Sequence, residues 1–296
     1  MNPNYNFAFL DEGSKREIRR ATLKAVAIPG YQVPFGSREL PIGRGWGTGG
    51  IQLTLSLIGP DDVLKVIDQG SDESVNAVNI KKFVGLCTDV ETTTDTREAT
   101  LIQTRHRIPE IPMTNKQILV LQVPIPEPLR IVEPREELTK KMHAEKDYAP
   151  MWLQLFESLV KYGKVTISSE YPCMVAGRYM MNPSPIPRFD NPKLHMAECL
   201  YLFGAGREKK IYAIPPYTEV VPLAFEDVPF ERESFAGKRC SVCGSTDTYL
   251  DELFEAQTGD RYYRCSDTSY CKAMSTGLLK QAAQRLGGAC FEAEEA

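Results

Sequence analysis

The clearest helical period runs from Ser14 to about Ile28, where Ile18, Thr22, Ala25 and Val26 share one face and Arg16, Arg19 and Arg20 lie elsewhere. Ser14-Lys15-Arg16-Glu17 has the form of a capping box at its start, and Pro29-Gly30 stops it, with Gly30 suited to a left-handed cap. Val33-Pro34-Phe35-Gly36 continues as irregular loop. The period then changes to two: Ile51, Leu53, Leu55 and Leu57 alternate with Gln52, Thr54 and Ser56, which predicts a half-buried strand over Ile51–Ile58. Helices are expected from Pro60 to about Gln69 and from Glu73 to about Cys87. Thr92–Glu98 reads as polar loop, and strands are expected at Thr100–Thr104 and Ile118–Val123.

Pro124, Pro126, Pro128 and Pro134 suggest a stiff extended connector. A further helix is expected from Pro150 to Tyr162, with Trp152, Leu155, Phe156, Leu159 and Val160 on its apolar face. Val175-Ala176-Gly177-Arg178-Tyr179 reads as a tight hairpin, and Asn182–Pro192 as a proline-rich loop of the kind that lies against a partner protein. Phe203–Lys210 forms a glycine-plus-basic turn before a strand at Ile211–Ile214. These elements predict the α+β class: a mixed sheet core with flanking helices over 1–230, a ribbon-like four-cysteine module over 231–280, and a tail over 281–296.

Composition narrows the function. The 296 residues, 33.2 kDa, carry a net charge of −4 and a pI near 5.6, so no global basic field argues for nucleic acid or an anionic membrane. No apolar run approaches the ~18 residues of a membrane span. Met1-Asn2-Pro3-Asn4-Tyr5 lacks signal character. Of the eight cysteines, four are clustered and Cys87, Cys173, Cys199 and Cys290 are scattered, a pattern that suits a reducing, cytoplasmic compartment better than a disulfide framework.

The clustered four carry the strongest chemistry. Cys240-Ser241-Val242-Cys243-Gly244 sets two thiols on one knuckle, with Gly244 supplying the permissive backbone after it. Tyr249–Phe254 and Arg261–Arg264, joined by Gln257-Thr258-Gly259-Asp260, predict a β-hairpin that returns Cys265 beside the first pair. Cys271 follows the polar loop Ser266–Tyr270. Two, twenty-one and five residues separate successive cysteines, a spacing that fits a closed structural zinc site more readily than the usual iron–sulfur runs. Cys271 can equally stand outside a three-cysteine site as a free thiol.

Two further stretches bear on anion binding. Gly43-Arg44-Gly45-Trp46-Gly47-Thr48-Gly49-Gly50 has the glycine density of a phosphate nest, or of a simple turn, and matches neither nucleotide-binding fingerprint because no helix is expected after it. Arg105-His106-Arg107 at a strand end is either a solvated triplet or a grip for phosphate.

Taken together, Ala25–Gly36, Gly45–Gln52, Gln103–Glu110 and the four cysteines resemble the catalytic subunit of carbon–phosphorus lyase, the PhnJ family, with the likeness running from about Tyr5 to Cys271. The tail with Cys290 lies outside it. The resemblance implies a radical S-adenosylmethionine enzyme that splits α-D-ribose 1-methylphosphonate 5-phosphate into methane and ribose 1,2-cyclic phosphate 5-phosphate. Like the family, the chain lacks the familiar Cys-x3-Cys-x2-Cys run. By the same resemblance, Cys240, Cys243 and Cys265 hold a [4Fe–4S] cluster, Cys271 is the reactive thiol and Gly30 the hydrogen-atom relay. His106 joins a second metal, zinc, shared with a neighbouring subunit. The implied partners are the other lyase core subunits and ATP-binding-cassette proteins. Arg105, Arg107, Gly47, Gly49 and Gly50 are the expected phosphate contacts, by charge and backbone access. In air-exposed protein, zinc is expected to replace the cluster.

Overall fold

The computed structural model describes residues 10–36, 48–123, 134–138, 173–180, 190–222 and 235–277. The chain divides into two compact units, Met1–Ile108 with Pro112–Glu233, and Pro109–Ile111 with Ser234–Ala296.

The first unit is built on a seven-stranded mixed sheet in the order β1-β9-β8-β5-β4-β2-β3. Its strands are β1 Val33–Pro34, β2 Val63–Asp68, β3 Glu91–Thr92, β4 Leu101–Arg105, β5 Ile118–Gln122, β8 Leu200–Ala205 and β9 Lys210–Ile214. Strands β3, β2, β4, β5 and β8 are mutually parallel, whereas β9 pairs antiparallel with both β8 and β1. Helices α1 Glu12–Ala27, α2 Gly49–Leu57 and α3 Val75–Thr88 contribute Ile18, Ala25, Ile51, Leu53, Ile80 and Phe83 to one core, where Leu64, Val66, Val120 and Leu202 meet them. The alternate sheet residues, including Ile102, Leu119, Leu121, Phe203 and Tyr212, enter a second core with Val175 and Val220. Those two come from a small antiparallel sheet of β10 Val220–Pro222, β6 Cys173–Val175 and β7 Arg178–Met180. With both faces covered, the parallel strands read as near-continuous apolar runs.

The expected α+β class, mixed sheet and flanking helices are present, but several elements differ from their predicted form. Helix α1 begins ahead of Ser14: Asp11 is the cap, its carboxylate accepting the Ser14 N–H at 2.8 Å, and an anion at a helix start is favoured by the dipole. The strand expected at Ile51–Ile58 is helix α2, so a helix does follow the glycine-rich loop. Every residue from Gly49 to Ser56 is buried, and a helix enclosed on all sides shows no polar face from which a period can be read. The helix expected at Pro60–Gln69 is strand β2. Its Lys65 is fully buried, with Asp72 at 2.9 Å and the Thr94 carbonyl at 2.6 Å, so a charged letter conceals an interior strand. Val33-Pro34 is not loop but an edge strand on β9, and Phe203-Gly204-Ala205 belongs to β8 rather than to the turn. Helix α3, strands β4, β5 and β9, and the hairpin around Gly177 match their expected places.

The connector through Pro124, Pro126 and Pro128, the helix Pro150–Tyr162, most of Asn182–Pro192, the glycines 43, 45 and 47, and the tail with Cys290 lie outside the described residues. Among the described residues no helix is long and apolar enough to cross a membrane.

The second unit is a hairpin of β11 Leu250–Phe254 and β12 Arg261–Cys265, followed by a short helix, α4 Thr268–Ser275. Its buried centre is Cys240, Leu250, Cys265 and Cys271, with Phe235, Tyr263 and Tyr270 packed around them. That is little apolar surface for an independent unit, and a bound metal is the usual supplement.

Candidate metal centre and companion residues

The knuckle is tied by its own backbone. Gly244 adopts φ +77° and donates its N–H to the Cys240 carbonyl at 2.9 Å, while Cys240 N–H reaches Ser245 O at 2.9 Å. Ser241 N–H to Tyr263 O, 2.7 Å, fastens the knuckle to β12, whose last residue is Cys265. The stretch Ser266–Tyr270 expected as a polar loop already enters α4 at Thr268, which puts Cys271 in the first turn of that helix. Asp267 caps that helix, accepting Tyr270 N–H at 2.9 Å on one oxygen and Glu110 N–H at 3.0 Å on the other. A polar stretch opening on Asp is a cap followed by a helix, which turns Cys271 inward.

The four sulfurs lie within 4.8 Å of one another, the shortest separations being Cys243–Cys265 at 3.4 Å and Cys240–Cys271 at 3.6 Å. They are not equivalent. Cys240 Sγ accepts N–H groups from Val242, Cys243 and Cys265 at 3.4, 3.5 and 3.4 Å. Cys265 Sγ meets the buried Thr248 hydroxyl at 3.3 Å, and Cys243 Sγ meets the Ser245 hydroxyl at 3.2 Å. Among the described residues, Cys271 Sγ meets only neighbouring sulfurs. Burial raises the Cys240 thiol, but the three amides outweigh it and bring it down to about 6. Burial, then the neighbouring Cys240 and Cys243, pushes Cys271 up to about 12. Burial also raises Cys265. Cys87, Cys173 and Cys199 are each raised by burial, to about 12, 12 and 11, and sit as inert thiols.

As a donor set the cluster fits a thiophilic metal, four thiols on a largely buried module with amides or hydroxyls beside three of them. Ser245 and Thr248 escaped the sequence reading because a Ser and a Thr in a turn are commonplace. Only the knuckle's hydrogen bonds reveal their direction.

In the first unit, Gly30 adopts φ +75° and is pinned by its N–H to Ala213 O at 3.1 Å; a Cβ there would lie 3.3 Å from Val175 Cβ. Arg105 and Arg107 both have carboxylate partners that the sequence did not suggest. Arg107 is 3% exposed, with Nε 3.0 Å from Asp190, whose carboxylate also accepts Ile108 N–H and Lys193 Nζ at 2.9 and 3.0 Å. Arg105 grips Asp68 with Nε at 2.6 Å and a terminal nitrogen at 3.0 Å, and its side chain stays 18% exposed. It lines a narrow cleft with Gln103, Thr104 and Gln122, in which Gln103 Oε1 is buried without a hydrogen-bond partner among the described residues.

Between the arginines, His106 adopts φ +78°, uncommon for a side-chain-bearing residue. Burial first, then the Arg105 charge, lowers its pKa from 6.5 to about 4, with Asp68 opposing. The neutral imidazole is the ligand form. No group of three metal-capable side chains includes His106 among the described residues.

The glycines have a packing role. A Cβ on Gly204 would sit 2.7 Å from Gly49 O, and one on Gly49 would enter the backbone of Gly204. Gly50 N–H is already donated to the Gln122 side chain.

Fold and site together define an α+β protein with a separate four-thiol cluster suited to a metal. The chain matches the family described as "Phosphonate metabolism protein PhnJ" over residues 3–276, and it belongs to that family. It is 60% identical over 268 residues, 90% of each chain, to a Rhizobium meliloti (strain 1021) protein named alpha-D-ribose 1-methylphosphonate 5-phosphate C-P-lyase. It is 58% identical over 271 residues to the Escherichia coli (strain K12) protein of the same name, covering 92% of this chain and 96% of that one.

Proposed function

We propose that the protein is a carbon–phosphorus lyase acting on α-D-ribose 1-methylphosphonate 5-phosphate and releasing methane and ribose 1,2-cyclic phosphate 5-phosphate. The substrate follows the names of the two relatives. Cys240, Cys243 and Cys265 would hold a [4Fe–4S] cluster, which would work together with bound S-adenosylmethionine. The observation that carries this division is the one between sulfurs: among the described residues Cys240 accepts backbone N–H groups, Cys243 and Cys265 lie beside the Ser245 and Thr248 hydroxyls, and Cys271 meets only other sulfurs.

With S-adenosylmethionine, such a cluster supplies a hydrogen-abstracting radical, which a C–P bond calls for because its heterolysis would expel an alkyl carbanion. Gly30 relays the hydrogen atom, since an α-carbon without a side chain flattens freely. Cys271 would give its thiol hydrogen atom to the Gly30 radical and bond to phosphorus as a thiyl while the C–P bond breaks. The departing methyl radical would take a hydrogen atom from Gly30 and leave as methane. The ribose 2-hydroxyl would then displace the Cys271 sulfur to close the cyclic phosphate, dividing one hard step into easier ones. Arg105, its side chain still partly exposed beside the Asp68 carboxylate, meets a phosphate from the solvent side. Arg107 acts at one remove, by holding the strand end. His106 joins a zinc ion completed by another lyase subunit, and the chain works with core subunits and ATP-binding-cassette proteins.

A second reading has its own observation. Sulfur separations of 3.4 and 3.6 Å lie near the ~3.8 Å edge of a tetrahedron around zinc with bonds of ~2.3 Å. A cubane would need its three thiolates to spread. The two readings part in Cys271→Ala, reconstituted anaerobically with iron and sulfide. For the lyase, the variant keeps the cluster's paramagnetic resonance signal and its response to S-adenosylmethionine, but forms no methane. Loss of the cluster in that variant, or one tightly held zinc and no sulfide in the wild type, makes Cys271 a fourth ligand of a structural site.

A further inference from the structure

Thr248 and Ser245 lie outside the cysteine set, yet each places a hydroxyl within hydrogen-bond distance of one of its sulfurs, and with the thiols protonated Cys243 Sγ is the donor to Ser245 Oγ. Thr248 is 6% exposed, at the start of the hairpin whose far strand ends in Cys265, and its Oγ1 lies 3.3 Å from Cys265 Sγ. Ser245 follows the knuckle; its carbonyl accepts Cys240 N–H at 2.9 Å, and its Oγ lies 3.2 Å from Cys243 Sγ. Once a thiol has lost its proton to a metal, the sulfur can only accept, so the hydroxyl must be the donor. A hydroxyl donating to a charged sulfur makes a charge-assisted bond, strengthened by the low local dielectric around Thr248.

We propose that Thr248 and Ser245 are positioning residues for the cluster, their hydroxyls hydrogen-bonding the thiolates of Cys265 and Cys243 and setting its reduction potential. This rests on the iron–sulfur reading above. The added electron of the reduced state is shared with the ligand sulfurs, so a fixed O–H dipole stabilises the reduced form more than the oxidised one. Removing the hydroxyl therefore makes the cluster harder to reduce. Cys240 draws the same support from backbone amides, which no substitution removes. At Cys243 and Cys265 the group beside the sulfur is a side-chain hydroxyl instead, so the potential there is open to sequence change.

The test uses the full chain, reconstituted anaerobically and titrated with dithionite as electron donor, without substrate. Thr248→Val preserves shape and burial but lacks the donor, while Thr248→Ser restores it. The expected result is unchanged iron content in Thr248→Val with a ratio of reduced to oxidised cluster lower by about tenfold at fixed potential, or ~59 mV for a one-electron couple. Thr248→Ser should titrate with the wild type. Ser245→Ala should move the same way by less, because Ser245 is only half-buried. Should Thr248→Val take up no iron, Ser245→Ala decides alone. Wild-type titration curves in both donor-deleted variants overturn the inference while leaving the cluster reading intact. A wild-type protein that holds zinc and no sulfide overturns that reading first.

Discussion

Arg107→Ala should damage the fold rather than the affinity for a phosphate. Its guanidinium, 3% exposed, is paired to Asp190 at 3.0 Å. Removing one partner of a buried pair costs about 3–5 kcal/mol, because the other charge stays behind in a poor solvent. Asp190 keeps Lys193 Nζ at 3.0 Å and Ile108 N–H at 2.9 Å, so the lower end applies, about 3 kcal/mol. For a unit of this size each kcal/mol moves the midpoint by roughly 2–4 °C, which predicts a fall of roughly 6–12 °C. Thermal unfolding followed by circular dichroism reads it directly. Replacing both partners, Arg107→Leu with Asp190→Leu, should recover part of the loss because no lone charge remains. Arg105 is the contrasting case: its side chain is still 18% exposed, so Arg105→Lys should retain the fold yet weaken substrate binding by roughly tenfold through loss of the planar fork. An Arg107→Ala protein that melts with the wild type while binding substrate tenfold more weakly would refute this reasoning and return Arg107 to the substrate.

Two other outcomes follow from the first unit. Gly49→Ala places a methyl group in the Gly204 backbone, which has no rotamer with which to give way, so the loss should be at least the 1–3 kcal/mol of ordinary overpacking, read as a lower urea midpoint. Unchanged stability would mean that packing does not account for these glycines. His106, held near 4 rather than 6.5, adds stability that is complete above pH 6.5 and is lost as the pH falls through about 4, because the unfolded chain takes the proton first. In metal-free protein its imidazole resonance should titrate near 4, and His106→Gln should flatten the stability slope across that window. Titration at or above 6.5 would contradict the burial and the Arg105 charge as its controlling neighbours.

The legible parts of the fold are those whose partners are close in sequence or whose surroundings are uniform. Strands β4 and β5 announce themselves because both faces are covered by apolar neighbours. The hairpin of β11 and β12 announces itself through its turn residues. What misleads is long-range compensation. Lys65 reads as a solvated residue until Asp72 closes on it, and Asp68 until Arg105, 37 positions later, takes both its oxygens. Helix α2 fails for the opposite reason: Gln52, Thr54 and Ser56 are as buried as the leucines between them, so polarity alternates in the sequence while burial does not.

The same distinction runs through the site. A Cys-x2-Cys knuckle is local, and any fold that forms it brings the two sulfurs together, so the metal chemistry can be read without coordinates. Charge and glycine density are not local in that sense. Arg105 and Arg107 look identical on either side of His106, and only Asp68 and Asp190 show that one keeps an exposed edge while the other is committed to the interior. Gly49 and Gly50 look like a phosphate cradle until Gly204 and Gln122 occupy the space and the donor. The difference among the four cysteines is of this second kind. Among the described residues, three sulfurs that lie beside amides or hydroxyls and one that meets only other sulfurs are a property of where Val242, Ser245, Thr248 and α4 end up. In the proposed division that inequality would set three ligands apart from one thiol, whereas a closed tetrahedral site would use all four sulfurs.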